Sequence, residues 1–158
     1  MAIECIKDPA LIEGYLRDAS NILGHAEGLT RPETTQQVSE IVRHCQSSGT
    51  PLTISAQRTS TTGGPVPFGG WILSMEKMDQ VLWTEGHRAR VQGGLILGAF
   101  QDQLEAQGLS FPPDPTSRYE CTIGAAIACN ASGARSFRFG PTRDWVEAIE
   151  VVLPNGEV

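Results

Sequence analysis

The sequence has no long apolar stretch and no concentration of basic charge. None of its 158 residues belongs to an apolar run near the roughly 18 residues of a membrane span. The net charge is −6, and lysine and arginine form no run. Nucleic-acid binding requires a basic stripe that neutralises phosphates. We therefore expect neither a membrane span nor a nucleic-acid partner.

The sequence also lacks the short motifs of common metal and phosphate sites. Its four cysteines form no C-x-x-C pair, which disfavours a zinc site or an iron–sulfur cluster: Cys5, Cys45, Cys121 and Cys129. Residues 1–9 are polar and carry both charge signs, so we expect no signal peptide and a reduced, cytoplasmic chain. The absence of G-x-G-x-x-G and Walker A patterns excludes the Rossmann and P-loop modes of phosphate binding.

Short elements separated by 17 glycines and 10 prolines make up the rest of the sequence. Apolar spacing and end signals predict helices from Asp8-Pro9, from Glu33 to Gly49, from about Leu95 to Ala106, and at 123–129. Strands are predicted at 52–55, 71–75, 81–84, 89–92 and 148–153, with a hairpin turn at 85–88. Because these elements alternate without strict βαβ spacing, the predicted fold class is α+β.

The first candidate site is the loop that follows the predicted strand at 52–55 and ends in Gly63-Gly64. Its side chains carry hydroxyl, amide and guanidinium groups: Gln57, Arg58, Thr59, Ser60, Thr61 and Thr62. Such a turn offers N–H and O–H donors to a diphosphate, as other anion-binding nests do. A solvated surface loop has the same composition, and the residues alone favour that interpretation.

Two further candidates lie in the second half of the sequence. The extended segment 112–117 leads into 121–125, where very small side chains allow close backbone approach to a flat ligand. A rigid surface connection followed by a tight helix crossing is an equally good interpretation. The third candidate is 130–133, with Phe139-Gly140 and Asp144 after it, and alone it indicates a turn beside a half-buried aromatic ring.

Taken together and in this order along the chain, these motifs indicate a protein family far more specifically than any one of them does alone. The order runs from Arg31-Pro32-Glu33 through Thr62-Gly63-Gly64, Pro113-Asp114-Pro115 and Thr122-Ile123-Gly124 to 150–153. The sequence thereby resembles the FAD-binding domain of the vanillyl-alcohol-oxidase or PCMH type over roughly residues 28–158. Within that group it is most similar to the glycolate oxidase large subunit and to D-lactate and other D-2-hydroxyacid dehydrogenases.

The resemblance implies an α+β, PCMH-type domain of two small lobes with a non-covalent FAD between them. It implies an N-terminal helix in residues 1–27, a first lobe with the diphosphate loop in 28–85, and a second lobe in 86–158. The residues implied to contact or shape the FAD site are Gln57, Arg58, Thr59, Ser60, Thr61, Thr62, Gly63, Pro113, Asp114, Ser117, Thr122, Gly124, Ala125, Asn130, Gly133, Ile149 and Val151.

The implied activity is oxidation of a 2-hydroxy acid, such as glycolate or D-lactate, by hydride transfer to flavin N5. In the family the substrate is held by a cap domain that follows the FAD domain, so we expect this chain to be an N-terminal piece. No catalytic residue is predicted in it. FAD-domain or iron–sulfur partner subunits are implied by the resemblance only.

Departures from the family pattern leave alternatives open. Ala56, Arg58 and Ser60 occupy positions that often hold glycine, and Ala125 replaces half of a usual double glycine. One alternative is therefore a degenerate, flavin-free domain used for protein association. Another is the FAD domain of a different flavoenzyme, such as an alcohol or sugar oxidase or an alkyl transferase. Covalent attachment through Cys121 is less favoured than non-covalent binding.

Overall fold

The computed structural model describes residues 3–158, and the chain divides into two compact units. The first unit comprises the residues up to Lys77 together with Glu150–Val158, and the second is Met78–Ile149. The predicted boundary between the lobes lies between residues 85 and 86, whereas the boundary between the units lies between residues 77 and 78. The difference arises because Val81–Glu85 and Arg88–Val91 pair as one antiparallel hairpin, which keeps both strands in the second unit.

A three-stranded parallel sheet forms the centre of the first unit. Its strands are β1 (Gly28–Thr30), β2 (Leu52–Ser55) and β3 (Trp71–Ser74), in the order β1-β3-β2. The predictions of β2 and β3 are confirmed. Sequence reasoning missed β1, which is only three residues long and therefore shows no period-two alternation.

Two helices accompany this sheet. Helix α1 (Pro9–Ile12) begins where predicted, with the Asp8 carboxylate accepting from the Ala10 N–H, but it ends in a 3₁₀ turn at Glu13–Tyr15. Gly14 lies in that turn, and glycine disfavours continuation of a helix. Helix α2 (Thr35–Ser48) ends at Gly49, whose φ of 67° is the left-handed cap predicted there. Of residues 3–158, no helix is both long and apolar enough to cross a bilayer.

The second unit consists of the hairpin β4 (Val81–Glu85) and β5 (Arg88–Val91), followed by three helices. These are α3 (Leu97–Glu105), α4 (Ile123–Ala128) and α5 (Ser136–Phe139), with a 3₁₀ turn at Thr142–Trp145. Its core contains residues before and within α3 and α4: Leu95, Leu97, Phe100, Leu104, Cys121, Ile123 and Ala126. The predicted helices at 95–106 and 123–129 are thus confirmed.

The prediction of a strand at 148–153 is wrong. These residues form no ladder with another strand in the part of the chain that the structure describes. Ile149, Val151 and Leu153 are all exposed, so their β-branched and apolar character is not used to fill a core. The turn predicted at 154–156 is present, and the Gly156 carbonyl accepts from Ser39 Oγ at 2.5 Å on helix α2.

Candidate functional site

The predicted diphosphate loop begins at the carboxyl end of β2. Within residues 3–158, the backbone N–H groups of residues 57–61 have no hydrogen-bond acceptor. Further along, the Thr62 N–H donates to Ser60 Oγ at 3.1 Å, and the two hydroxyl oxygens of these residues are 3.0 Å apart. The loop therefore holds its own later part in shape while five consecutive N–H groups remain available to an external acceptor such as a diphosphate.

A buried carboxylate from the preceding segment holds the end of this loop. The Asp18 side chain is 7% exposed and accepts from the Gly63 N–H at 2.8 Å and from the Ser20 N–H at 2.9 Å. The Ser20 hydroxyl also donates to it. Hydrogen bonds from the Ser20 side chain, then from the Ser20 and Gly63 N–H groups and the Ser60 side chain, lower the pKa of Asp18. Asp18 is therefore held as a carboxylate inside the unit.

Arg58 has the one left-handed backbone in residues 57–62, with a φ of 58°. Of the three positions where glycine is often found in the family, only this one has the backbone geometry that favours glycine. Its guanidinium lies 4.6 Å from the centre of the Tyr15 ring and donates to the Ala56 carbonyl at 2.8 Å. The cation is thus used inside the unit, where cation–π and hydrogen-bond contacts offset the backbone strain.

A buried hydroxyl lies at the point where β2 enters the loop. Ser55 is 1% exposed, and its Oγ has no hydrogen-bond partner among the described residues. A buried polar group without a partner is rare in native structures, and such a group can take a ligand as its partner. Together with the open N–H groups of residues 57–61, Ser55 fits a site for a ligand rich in acceptors.

In the second unit, the predicted proline segment is held by a buried amide. Gln101 on α3 is 6% exposed, and its Nε2 donates to the carbonyls of Phe111 and Pro113, both at 2.7 Å. An amide nitrogen carries two hydrogens, so each carbonyl receives one. Pro113 itself is fully buried, and its contribution to any ligand contact would come from its main chain.

Asp114 is engaged by two arginines and by a close backbone contact. Its carboxylate lies 2.8 Å from Arg118 Nη1 and 3.5 Å from Arg135 Nε. Gly133 packs directly against the Asp114 main chain, where a Cβ atom would lie 1.5 Å from the carbonyl oxygen. The structure therefore brings together two predicted site residues that are 19 positions apart in the sequence.

The start of α4 is built on small residues, as predicted. A Cβ atom on Gly124 would lie 2.7 Å from the Gly93 carbonyl, which accepts from the Gly124 N–H at 2.8 Å. Thr122 is buried, and its Oγ1 accepts from the Ala125 N–H at 3.2 Å as the N-cap of the helix. The Ser117 carbonyl accepts from the Cys121 N–H at 2.7 Å. The hydroxyl of Thr122 is thus already used by the helix that follows it.

The remaining predicted site residues have simpler surroundings. Asn130 follows α4 with a φ of 46°, and its Oδ1 accepts from the Arg143 N–H at 3.1 Å, so it shapes the turn after the helix. Ile149 and Val151 expose their side chains.

The structure also shows the surroundings of the four cysteines and of two histidines. All four cysteines are free, and burial raises the pKa of Cys121, Cys45 and Cys5. His44 stacks on Trp71 with ring centroids 5.0 Å apart, and His87 occupies the predicted turn between β4 and β5. No cluster of three metal-ligating side chains occurs within the described range.

A family model described as "FAD binding domain" matches residues 26–158. The chain belongs to this family. Both the fold class and the resemblance inferred from the ordered motifs are confirmed, because the match covers most of the chain and includes the loop, the proline segment and α4.

Curated relatives of this FAD binding domain include D-lactate dehydrogenase of Anaerostipes hadrus, which is 37% identical over 151 residues. That alignment covers 92% of this chain and 32% of the relative. Glycolate oxidase subunit GlcD of Bacillus subtilis is 36% identical over 135 residues, covering 84% of this chain and 29% of the relative. The chain therefore spans about a third of the length of these relatives.

Solved structures show the same fold. The 6-hydroxy-D-nicotine oxidase from Arthrobacter nicotinovorans superposes with a TM-score of 0.82 at 21% sequence identity. The superposition covers 99% of this chain and 35% of the oxidase. This similarity supports the PCMH-type, α+β architecture of the FAD binding domain, and it carries no information about substrate.

Three side chains that support the FAD binding domain were missed by sequence reasoning. Asp18 and Gln101 lie outside the motifs, and each reaches a candidate segment only through the tertiary fold, 45 and 12 residues away along the chain. Ser55 was assigned to the strand without a role. The only sequence signal was the polar character of Asp18 and Gln101 within otherwise apolar periodic stretches.

Proposed function

We propose that the chain is the FAD-binding portion of a flavin-dependent oxidoreductase that oxidises a 2-hydroxy acid such as glycolate or D-lactate. The observation that carries the cofactor assignment is the loop whose N–H groups at residues 57–61 have no acceptor in the described chain. The family match and two relatives that act on D-lactate and glycolate by name support the substrate class. The flavin-free alternative is not favoured by any of these findings.

In this proposal the loop binds the diphosphate of FAD. Gln57 to Thr61 provide main-chain donors, and Thr59 and Thr61 add hydroxyls, whereas the hydroxyls of Ser60 and Thr62 contact each other and shape the loop. Because Arg58 already stacks on Tyr15, its guanidinium stabilises the loop more than it neutralises phosphate. The Gly63 N–H is used by Asp18, so its proposed role is to let the chain turn beside the ligand.

The proposed contacts of the second unit come mainly from main chain and small side chains. Gly124 and Ala125 present little bulk at the start of α4, and Pro113 and Asp114 are held by Gln101 and the two arginines. Ser117, Thr122, Asn130 and Gly133 keep this stretch in shape, and Ile149 and Val151 contribute main chain. FAD, when bound, supplies the hydride acceptor, and these residues orient and shield it.

FAD is proposed to bind without a covalent bond to this chain. The reactive form of a cysteine is its thiolate, and burial raises the pKa of Cys121, the residue directly before the predicted contact Thr122. His44 stacks on Trp71, and His87 lies in a hairpin turn outside the loop. Release of all yellow colour into the supernatant after acid precipitation would be the expected result.

Substrate binding and proton abstraction are proposed to depend on parts of the enzyme beyond this FAD binding domain. The relatives named for these substrates are about three times as long as the aligned region. One of them is named as a subunit, which supports a multi-subunit assembly. FAD-domain or iron–sulfur subunits as the partners are part of the proposal by resemblance. A cytoplasmic location is part of the same proposal.

FAD titration of the purified full-length protein tests the proposal directly. We expect flavin fluorescence to be quenched on binding, and the bound flavin to be bleached by glycolate or D-lactate without oxygen. Gly63→Leu should weaken FAD binding at least tenfold, because a side chain at a φ of 77° strains the loop. Gly64→Ala is the matched control, since a Cβ atom there meets nothing within 4 Å.

The outcomes separate the competing functions. Wild-type protein that binds no FAD would support the flavin-free module. Binding without bleaching by any 2-hydroxy acid would support another flavoenzyme class with the same fold. Equal FAD affinities of the Gly63 and Gly64 variants would remove the loop from the cofactor site.

A further inference from the structure

We infer that Asp18 is a positioning residue for FAD: it holds the Gly63 end of the diphosphate loop, while its neighbour Ala19 holds the Arg58 end, so that the N–H groups of residues 57–61 stay open. The inference rests on the proposed function, because it assigns a role to a residue outside the proposed contacts. It concerns the first unit alone, where both Asp18 and the loop lie.

The carboxylate takes up the donors at one end of the loop. It accepts from the Gly63 N–H at 2.8 Å, and one residue earlier the Thr62 N–H donates to Ser60 Oγ at 3.1 Å, within the loop itself. The burial of Asp18 to 7% exposure means that water does not compete for these donors. Charge-assisted hydrogen bonds of this kind are about twice as strong as neutral ones.

The residues next to Asp18 hold the other end of the loop. The Ala19 N–H donates to the Arg58 carbonyl at 3.2 Å, where the loop takes its left-handed turn. On the far side, Ile22 Cδ1 lies where it would be 3.0 Å from a Cβ atom on Gly63. The segment 18–22 thus contacts the loop at both ends, and the N–H groups without acceptors lie at and between these contacts.

A carboxylate beside a diphosphate site would repel the ligand if its charge were not compensated. Here the charge is compensated before any ligand binds, since three donors from Ser20 and Gly63 surround it. An acceptor occupied by these donors orders the end of the loop without taking up the N–H groups of residues 57–61. Preorganisation of this kind raises affinity because the ligand does not have to order the loop itself.

The test compares Asp18→Ala and Asp18→Asn with wild type in full-length protein. We expect the Kd for FAD to rise about tenfold or more in Asp18→Ala, in line with the loss of two or more charge-assisted hydrogen bonds. The Kd of Asp18→Asn for FAD should lie between those of wild type and Asp18→Ala, because the amide oxygen keeps one acceptor while the NH₂ group faces the remaining donors. Glu27→Gln is the matched control, since it removes one exposed carboxylate from the same unit.

Two further measurements distinguish a positioning role of Asp18 from general damage to the fold. Amide hydrogen exchange in the apo Asp18→Ala protein should accelerate at Ser20 and Gly63, whose N–H groups lose their acceptor, but not across the rest of the first unit. The visible spectrum of FAD at saturation should match wild type, because the chromophore is the ring and not the diphosphate. Unchanged FAD affinity in Asp18→Ala, or accelerated exchange throughout the first unit, would overturn the inference. Absence of FAD binding by wild type would instead overturn the proposed function.

Discussion

The two units present their candidate cofactor segments in opposite ways. In the first unit the segment is a hydroxyl-rich loop, held by a buried carboxylate that accepts from the N–H groups of Ser20 and Gly63. In the second it is a proline-rich stretch, held by a buried amide that donates to the carbonyls of Phe111 and Pro113. The two supporting side chains, Asp18 and Gln101, both lie outside the segments that they hold. Asp18 accepts from a main-chain N–H group of its segment, and Gln101 donates to main-chain carbonyls of its segment.

The difference follows from what each segment has to offer a ligand. A loop that binds an anion must keep N–H groups free, so its support uses only the donors at its ends. Prolines have no N–H, and their carbonyls would be left unpaired when buried, so the second support supplies hydrogens. The first support is charged and titratable, whereas the second is neutral, and this distinction can be measured.

The largest effect is expected from adding a methyl group at Gly133. In Gly133→Ala the new Cβ would lie 1.5 Å from the Asp114 carbonyl oxygen, so the main chain of the second unit must shift. We expect a loss of about 3 kcal/mol or more in the free energy of unfolding. Gly63→Ala meets only the end of the Ile22 side chain at 3.0 Å and should lose about 1 kcal/mol, from its φ alone. Urea unfolding of both variants checks this order, and equal losses would contradict it.

Removing the amide of Gln101 should have the next largest effect. Gln101→Met keeps the length of the side chain but leaves two carbonyls unpaired, those of Phe111 and Pro113. The expected loss is about 2–3 kcal/mol. Gln103→Met, on the exposed face of α3, should change stability by less than about 0.5 kcal/mol. If both variants unfold at the same urea concentration, the amide does not support the proline segment.

Substitutions at Arg58 should reverse the usual order of alanine and glycine. Arg58→Ala loses the contacts with Tyr15 and Ala56 and keeps the strained φ of 58°, whereas Arg58→Gly loses the contacts and relieves the strain. We expect the glycine variant to be more stable than the alanine variant by about 1 kcal/mol. Thermal unfolding of the pair measures the difference. An alanine variant as stable as the glycine variant would mean that the backbone relaxes when the side chain is lost.

The smallest expected effect is a pH dependence of stability, which distinguishes the support by Asp18 from the support by Gln101. The folded protein lowers the pKa of Asp18, so its charge stabilises the fold above the unfolded pKa of about 3.9 and this contribution is lost as pH falls through the folded pKa. The stability difference between wild type and Asp18→Asn should therefore shrink below about pH 4. The difference for Gln101→Met should persist at low pH, because an amide does not titrate there. Urea midpoints at pH 7, 5 and 3 test this contrast, and parallel behaviour of the two variants would contradict it.

The sequence was sufficient for most elements whose signals are local. The cap at Asp8-Pro9, the glycine stop at Gly49 and the apolar face of α3 each depend on residues within a few positions, and all are present. The predicted strand at 148–153 failed because a strand needs a partner, and apolar alternation does not supply one. Helix α1 is shorter than its apolar stripe because Gly14 and the turn around Asp18 redirect the chain.

By itself, the sequence determined the family, since the order of small and turn-forming residues limits which backbone can approach a flat, phosphate-bearing cofactor. Only the tertiary structure decided which of the altered glycine positions is strained: Arg58 has a left-handed backbone, and Ala56 and Ser60 do not. It also decided which side chains hold the segments, since Asp18 meets Gly63 and Gln101 meets Pro113 across stretches of chain that no local pattern connects. Hydrogen bonds between distant residues depend on how the elements pack, and packing is a property of the whole unit.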